Sequence, residues 1–298
     1  MIEDHKEFKT MKNKEIAEKL LRSINDNTLP WRKTWKNDGK TIPYNPITKT
    51  VYKGMNAFNL YFDLLIKTIK DPSLIADYRF STFNQLKKQS LHLNKGSKGH
   101  HISYYSTVEY QDENNEPKTK AVLKQYVVFN YSNVTIPEEL QNKFYQVKQS
   151  CLKVSDSVKK IIDKLGVKIV VSNVLEPCYI PDANVIHLPE TFDSDNAKYG
   201  TLFHEMAHWT KNNIEKCKRS LSYAQEELVA EVSSFMICHD LGIEYNPKEM
   251  SEYYAYLKSW LSNFNTDEEK LEKLDESLSF AGKILKEILG SKNDADGE

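Results

Sequence analysis

Hydrophobic residues recur at two different spacings along the chain, which predict helices in some segments and strands in others. Spacings of three and four residues predict an amphipathic helix over residues 10–27 and helical structure over residues 252–289. Alternation of apolar and polar side chains predicts a strand over residues 102–106, and a second strand is predicted over residues 122–129. The acidic segment 111–117 between these strands is typical of an exposed hairpin tip.

The second half of the chain is predicted to be mainly helical. A linker is expected near residues 131–142, followed by a helix over residues 152–165. Helix-capping candidates at residues 193–195 predict the start of another helix, in which Leu202 and its neighbours form an apolar face. A further helix is predicted over residues 222–238, where the apolar stripe indicates that most of the helix is buried.

The mixture of helices and strands predicts the α+β class, and a length of 298 residues favours two domains. The boundaries that fit the pattern are residues 8–130 for a small mixed α/β domain and residues 146–290 for a C-terminal domain. An apolar fraction of 40% supports a hydrophobic core in each. No run of about 18 apolar residues occurs, so no membrane span is predicted.

Cysteine spacing and the N-terminal residues predict a cytoplasmic protein. Cys151, Cys178, Cys217 and Cys238 show no CxxC spacing, and we expect free thiols in a reducing compartment. The first nine residues contain no apolar segment of the kind found in secretory signal peptides.

The clearest candidate chemistry is an HExxH pattern formed by His204, Glu205 and His208. On a helix, histidines four residues apart lie on one face, so both imidazoles can reach one metal ion. Glu205 follows the first ligand directly and can act as the general base toward a water molecule. The pattern therefore predicts a hydrolase with one Zn²⁺ per chain, or Mn²⁺ or another divalent ion in its place. An amphipathic helix with two surface histidines and no metal site would show the same sequence pattern.

A catalytic zinc site needs a third protein ligand, and the helix predicted over residues 222–238 offers three glutamates. Glu226, Glu227 and Glu231 lie on or beside its apolar stripe, where a carboxylate needs a charge partner or a metal ion. Glu227 and Glu231 are four residues apart, so one could bind the metal while the other orients a ligand histidine. Spacing does not decide between them, and Glu226 also fits an exposed acidic edge.

Charge is distributed unevenly although the net charge is only −1. Residues 1–130 contain 22 Lys and Arg against 14 Asp and Glu, whereas residues 131–298 contain 19 against 28. A basic half suits a polyanionic partner, because Lys and Arg neutralise phosphates. Trp31 and Trp35 lie among cations, which suits the stacking of unpaired bases, although both fit packing in a core equally well.

The predicted ligand helices also carry a family resemblance. HEMAHWT at residues 204–210, followed by YAQEELVAE at residues 223–231, resembles the zincin-like metallopeptidase domain of ArdC-type antirestriction proteins. The resemblance implies that Glu227 is the third metal ligand and that Glu231 orients a ligand histidine. The family usually has glycine after His-Trp-Thr, whereas this chain has Lys211, so we expect the loop between the ligand helices to differ.

The basic half resembles the N-terminal single-stranded-DNA-binding domain of the same family. The matching segments are residues 30–35, 45–56, 81–85 and 95–99, in the family's order, and residues 128–130 match its closing strand. The resemblance therefore implies single-stranded DNA as a partner. The residues of these segments that we expect to contact DNA are Trp31, Arg32, Lys33, Trp35, Asn45, Tyr52, Lys53, Asn56, Lys95 and Lys98.

Three functions are compatible with these features. The resemblance implies a protein of a mobile genetic element, such as a conjugative plasmid, that protects incoming DNA and cleaves a protein or peptide, with a host restriction component as candidate substrate. A non-enzymatic single-stranded-DNA-binding protein with a structural or vestigial metal site is the main alternative, and a metal-dependent nuclease is a third. Glu205 favours the peptidase, because a purely structural metal site needs no base.

Overall fold

The computed structural model describes residues 15–26, 43–70, 77–111, 116–140, 154–172, 176–243 and 257–290. The helices in its first half are α1 (residues 15–25), α2 (Gly54–Lys70) and α3 (Phe83–Lys88). The strands there are β1 (Phe80–Thr82), β2 (His92–Leu93), β3 (His100–Gln111), β4 (Pro117–Asn130) and β5 (Val134–Thr135). The second half adds helices α4 (Val154–Leu165), α5 (Asp195–Asn213), α6 (Tyr223–Asp240), α7 (residues 257–261) and α8 (Asp267–Leu289), and strands β6 (Lys168–Val171), β7 (Cys178–Ile180) and β8 (Val185–Leu188). The predicted mixture of helices and strands, the α+β class, is confirmed.

A long antiparallel hairpin dominates the first half. Strand β3 pairs with β4 from His100 opposite Val128 to Gln111 opposite Pro117, and β1 pairs with the other side of β4. Both predicted strands are confirmed, and both are longer than the predicted ranges. The centre of the predicted tip, residues 112–115, lies outside the described residues. The base of the hairpin packs on α2 in a core that includes Phe80 and Ile102.

The expected linker near residues 131–142 is wrong for its first part. Residues 131–133 form a 3-10 turn, and β5 pairs with β2 directly after it. Tyr131 is buried in a small apolar cluster with Leu86 and Leu91. The Asn130 side chain starts the turn by accepting a hydrogen bond from the amide of Ser132, so a segment with the polar composition of a linker is packed instead.

The second half builds a small sheet beside helices. The strand order is β6-β8-β7, with β6 parallel and β7 antiparallel to β8, so β7 lies at an edge. Helix α5 begins at the Ser194 cap, whose hydroxyl accepts from the amide of Ala197. Helix α6 begins with the capping box of Ser222 and Gln225. The helices that the sequence predicts to carry the HExxH pattern and its glutamates are therefore confirmed.

The helical stretch predicted over residues 252–289 is divided in two. Helix α7 ends at residue 261, and α8 begins after Thr266, whose side chain accepts from the amide of Glu269 in a second capping box. The sequence does carry a signal of this break, because residues 265–270 are all polar and Thr266 and Glu269 have capping-box spacing. No helix in the described part of the chain is both long and apolar enough to cross a membrane.

The largest hydrophobic core extends across both halves. Ile16 and Leu20 of α1 and Phe58 of α2 belong to the same buried cluster as the inward faces of α5, α6 and α8. The rings of Phe58 and Phe235 meet edge to face with centroids 5.4 Å apart. The predicted domain boundaries, residues 8–130 and 146–290, remain a prediction. Helices α1 and α2 belong to the first range, but their side chains pack against helices of the second.

A polar contact also joins the halves. The amide of Gly54, at the first turn of α2, donates to the carboxylate of Asp240 at the end of α6, at 2.9 Å to Oδ1 and 3.1 Å to Oδ2. Amides in the first turn of a helix have no partner within the helix, so this carboxylate acts as a cap supplied from another element.

Replacing Asp240 with alanine is expected to lower the free energy of unfolding by about 1–2 kcal/mol, because the Gly54 amide loses its acceptor. Urea denaturation followed by circular dichroism measures the change. Asp182, an exposed aspartate in the turn between β7 and β8, is the matched control, and its alanine variant should change stability by less than about 0.5 kcal/mol. Equal losses in the two variants would contradict a capping role for Asp240.

Candidate metal centre

Helix α5 places the two histidines of the HExxH pattern side by side. His204 and His208 are one turn apart, and their Nε2 atoms lie 3.3 Å from each other. The opposite side of the helix is held by Leu202, Phe203 and Met206, which are buried in the core. Burial of that side fixes the rotation of the helix, and the two imidazoles therefore face α6.

Helix α6 brings Glu227 to the same point. Its Oε2 lies 3.3 Å from His204 Nε2, and its Oε1 lies 3.6 Å from His208 Nε2. A buried hydrogen bond from the Ser234 hydroxyl to the Gly200 carbonyl, at 2.7 Å, holds α6 close to α5 nearby. These three side chains form the metal-ligating group found among the described residues.

The spacing of these atoms fits a divalent cation. Ligands about 2.0–2.1 Å from a tetrahedral zinc ion lie roughly 3.3–3.4 Å from one another. The distances from His204 Nε2 to its two neighbours, 3.3 Å each, match this separation. Two imidazole nitrogens and one carboxylate oxygen are also the donor set of a common type of catalytic zinc site, which leaves one position open.

The other two glutamates of α6, Glu226 and Glu231, contact the Nδ1 atoms of the histidines, which we call the outer nitrogens; the Nε2 atoms are the inner nitrogens. Glu231 Oε2 lies 3.2 Å from His204 Nδ1, and Glu226 Oε1 lies 3.0 Å from His208 Nδ1. A carboxylate at Nδ1 fixes the ring orientation and leaves Nε2 for the metal ion. Each histidine therefore presents its inner nitrogen to the shared point and its outer nitrogen to a glutamate.

Glu226 is a site residue that sequence reasoning left as a possible acidic edge. Its second oxygen, Oε2, lies 2.5 Å from Nζ of Lys211, so this carboxylate bridges a lysine and a ligand histidine. Both partners are largely buried, with side-chain exposures of 16% for Lys211 and 20% for Glu226. The replacement of the family's glycine by Lys211 was visible in the sequence, but its partner depended on how α5 and α6 pack.

Electrostatics inside the site favour the ionised forms of Glu226 and Glu227 and a protonated His204. Burial alone would lower the pKa of His204, but its hydrogen bonds with Glu227 and Glu231 outweigh burial and raise the pKa well above the usual histidine value. Burial would raise the pKa of Glu226 and Glu227, yet their contacts with the imidazoles, and with Lys211 for Glu226, lower both. A cation that binds here must therefore displace a proton from His204.

Glu205 is positioned by the edge strand β7. Its Oε2 accepts a hydrogen bond of 2.7 Å from the backbone amide of Tyr179, and the side chain is 8% exposed. The Tyr179 hydroxyl accepts from the Asn213 amide group at 2.9 Å, which ties this part of β7 to the end of α5. The contribution of Tyr179 had no signal in the sequence, because it comes from a backbone amide.

The residues expected to contact DNA fall into three groups. Trp31, Arg32, Lys33 and Trp35 lie outside the described residues. Lys53, Lys95 and Lys98 are exposed on the surface. The remaining three, Asn45, Tyr52 and Asn56, are buried.

The three buried residues serve the fold, and this corrects the expectation that they present their polar groups to DNA. Tyr52 donates from its hydroxyl to the carbonyl of Phe80 at 3.1 Å. Asn56 donates to the carbonyl of Ser103 at 2.8 Å and accepts from the amide of the same residue at 3.0 Å. Asn45 likewise hydrogen bonds to neighbouring backbone amides and side chains. Buried polar groups must be paired within the protein, and these pairs use the atoms that a ligand would need.

Two family models match this chain, one in each half. The family model for the N-terminal domain of anti-restriction factor ArdC matches residues 11–132, and the model for a zincin-like metallopeptidase matches residues 156–273. Two Escherichia coli proteins named DNA primase TraC are each 28% identical to this chain, over 287 and 274 residues. The matches cover 88% and 83% of this chain but only 26% and 18% of the relatives, so the chain spans about a quarter of their length or less.

A protein of Sinorhizobium fredii, y4eC, is 23% identical over 85% of this chain and 84% of its own length. Among solved structures, the metal-free crystal structure of the antirestriction ArdC protein from plasmid R388 matches with a TM-score of 0.60 at 24% identity, over 93% of this chain and 97% of that one. The Mn(II)-bound structure of the same protein matches with a TM-score of 0.60 at 26% identity, over 94% and 98%. The chain therefore carries an ArdC N-terminal domain followed by a zincin-like metallopeptidase domain.

Proposed function

We propose that the protein is a metal-dependent peptidase that binds single-stranded DNA and protects the incoming DNA of a mobile element from host restriction. The observation that carries the peptidase proposal is the position of Glu205, which directly follows the ligand candidate His204 on α5 and whose carboxylate is held by the Tyr179 amide. A site that serves only to stabilise the fold needs the ligands but has no use for a carboxylate fixed next to them.

In this proposal His204, His208 and Glu227 hold the cation, while Glu226 and Glu231 keep the two imidazoles in the ligating orientation. The cation would supply Lewis-acid activation of a water molecule and of a peptide carbonyl. Zinc is our first candidate and manganese the alternative, since the R388 ArdC protein has a Mn(II)-bound structure.

Glu205 is assigned the proton transfers. Its Oε2 is engaged with the Tyr179 amide, so Oε1 is the atom that we assign to accept a proton from the attacking water. The same oxygen then returns the proton to the nitrogen of the departing amine, which completes cleavage of the peptide bond. The hydrogen bond from Tyr179 keeps the carboxylate pointed at the site, so that no rotamer search precedes either transfer.

Support for the DNA role comes from charge and from the relatives. The first 130 residues are basic, and the exposed Lys53, Lys95 and Lys98 lie in segments that resemble the family's DNA-binding domain. The N-terminal match is to a domain of an anti-restriction factor, and two relatives are named as DNA primases. A peptidase anchored to the incoming strand would act only on proteins that approach that strand.

The ligand assignment predicts the metal content of variants. His204→Ala and Glu227→Ala are each expected to abolish binding of the one divalent ion per chain, because each removes one of three ligand atoms. Elemental analysis of protein loaded with zinc and then dialysed measures this. Glu226→Ala is the control from the same helix turn. It keeps all three ligands and should weaken binding by roughly 10–100-fold while still reaching one ion at saturation. Loss of the ion in Glu226→Ala but not in Glu227→Ala would show that the ligand is misassigned.

Glu205→Gln tests the peptidase. The variant should retain the metal ion and the fold, while cleavage of candidate host restriction proteins falls by about 10²–10⁴-fold, because glutamine cannot accept the proton. Cleavage is followed by gel electrophoresis of zinc-loaded protein, with and without single-stranded DNA.

The same variant separates the peptidase from the binding-only alternative in cells. If protection of a conjugated plasmid disappears in Glu205→Gln, protection depends on proteolysis. If protection persists at the wild-type level, occupancy of the DNA is the mechanism and the peptidase proposal for antirestriction is wrong.

The contact between Lys211 and Glu226 generates a further prediction. Lys211→Met is expected to weaken metal binding by roughly tenfold or less, because Glu226 loses the cation that holds it toward His208. Lys211→Arg should retain most of the affinity, since it restores a charged donor. Lys218→Met, at an exposed lysine paired with Glu215, is the matched control and should leave the affinity unchanged. Isothermal titration with zinc measures all three, and wild-type affinity in Lys211→Met would contradict the proposed support.

A further inference from the structure

One face of the long hairpin carries an exposed row of tyrosines and lysines, which we call the hairpin ribbon. Successive residues of a strand point to opposite faces, and residues directly opposite each other in an antiparallel pair share a face. The register pairs Tyr110 with Lys118, Val108 with Lys120, and Tyr104 with Lys124. The hairpin ribbon consists of Tyr104, Val108, Tyr110, Lys118, Lys120, Lys124 and Tyr126.

The hairpin ribbon is exposed and basic. Tyr110 and Tyr126 are 41% and 42% exposed, Val108 is 37% exposed, and the three lysines are exposed. Among the described residues of the two strands, this face carries lysines and no acidic residue, while Glu109 lies on the opposite face, across from Thr119. Exposed aromatic rings beyond the needs of the core are typical of an interaction surface, and the lysines indicate an anionic partner.

The rings and the cations are placed together along the strands. Lys120 Nζ lies 5.3 Å from the centre of the Tyr110 ring, and the rings of Tyr104 and Tyr126 meet with centroids 6.0 Å apart. Residues two apart on a strand are separated by about 6.6–6.8 Å, so Lys118 and Lys120 are one such step apart and Lys124 lies two steps beyond Lys120. A single strand with splayed bases presents the same combination, a base face beside a phosphate at each step.

The base of the hairpin is fixed, so the hairpin ribbon projects from a rigid support. Ile102 and Val128 are 2% and 0% exposed and lie in the core beneath α2. The Asn56 side chain bonds both the amide and the carbonyl of Ser103 on the outer edge of β3. Little ordering of the strands is therefore required when a ligand binds along them.

We propose that single-stranded DNA binds along the hairpin ribbon, with bases stacked on Tyr110 and Tyr126 and phosphates beside Lys118, Lys120 and Lys124. This inference rests on the proposed DNA-binding function and assigns it to a surface that the sequence motifs did not indicate. Unpaired bases can reach the rings, whereas the bases of a duplex are stacked and closed to them. Glu116, which directly precedes β4, is acidic and exposed and repels phosphates, so the bound strand ends before it.

The lysines are tested by the salt dependence of binding. The probe is fluorescein-labelled oligothymidylate of roughly 20 nucleotides, which is longer than the ~4–16 nucleotides covered by common single-strand-binding modules. A Lys118→Gln, Lys120→Gln and Lys124→Gln triple variant of the full chain should bind more weakly, measured by fluorescence anisotropy. The slope of log K against log salt should become shallower by about 2, since each phosphate contact to a single strand contributes about 0.7.

A control with the same change in net charge shows whether a loss of binding comes from the hairpin lysines themselves or from the lower total charge. Lys159, Lys160 and Lys168 are exposed lysines of the second half, and their triple glutamine variant removes the same charge. The inference requires wild-type binding in this control and in a Lys→Arg version of the hairpin triple. Equal losses in both glutamine triples would overturn it.

Stacking on the tyrosines is tested with alanine variants, which remove the ring, and phenylalanine variants, which keep it. Tyr110→Ala and Tyr126→Ala should each weaken binding by about 5- to 150-fold, the range expected for one stacked base, while the phenylalanine variants retain the affinity. Thermal unfolding and metal content confirm that each variant is folded. An unlabelled duplex of equal length should compete poorly, and equal competition would overturn the assignment to single strands.

Failure of this inference can be told apart from failure of the proposed function. Wild-type protein that binds the oligonucleotide while all hairpin variants bind equally well overturns the hairpin ribbon and leaves DNA binding intact. Wild-type protein that does not bind the oligonucleotide overturns both.

Discussion

The pairing of imidazoles with carboxylates between α5 and α6 is the interaction on which the candidate site depends. Two histidines and four glutamates lie in a space largely closed to water, where an unpaired charge would cost several kcal/mol. Each carboxylate has a partner supplied by another segment. Glu231 and Glu226 meet the outer nitrogens of the histidines, Glu227 meets the inner ones, and Glu205 meets the Tyr179 amide. These contacts offset the free-energy cost of burying the charged groups. The contacts of the two histidines also orient their Nε2 atoms and Glu227 toward the candidate metal position.

The position of α6 is in turn supported by the first half of the chain. Phe235, one turn beyond Glu231, packs against Phe58 of α2, and the carboxylate of Asp240 caps the start of that helix. The buried cluster that holds α5 and α6 also includes side chains of α1. The half whose sequence is basic and the half with the metal ligands are therefore joined by packing. The family models place their boundary between two domains, but the core does not divide there.

Tyrosines of the first half illustrate why interleaved aromatic and basic residues are ambiguous in a sequence. Tyr52 lies beside Lys53 in a segment that resembles a DNA-binding domain, yet its ring is buried and its hydroxyl bonds the carbonyl of Phe80. Tyr110 and Tyr126 have similar neighbours in the sequence, and their rings are exposed. The difference arises from what each ring packs against. Tyr52 lies in the core with Phe80 and α2, whereas Tyr110 lies opposite Lys118 near the outer end of the hairpin, and Tyr126 is 42% exposed although it lies opposite the buried Ile102.

The sequence by itself determined what depends on short-range geometry. Four-residue spacing in a helix brings His204 and His208 to one face wherever the helix lies, and alternation at residues 102–106 predicts a strand there whatever covers it. Tertiary structure decided which partner each group meets. The choice among Glu226, Glu227 and Glu231 depends on the rotation and height of α6 against α5, which is set by buried contacts such as Ser234 with Gly200. The pairing of Lys211 with Glu226 and the hold of Tyr179 on Glu205 likewise join segments distant in sequence, where no local spacing constrains the distance between them.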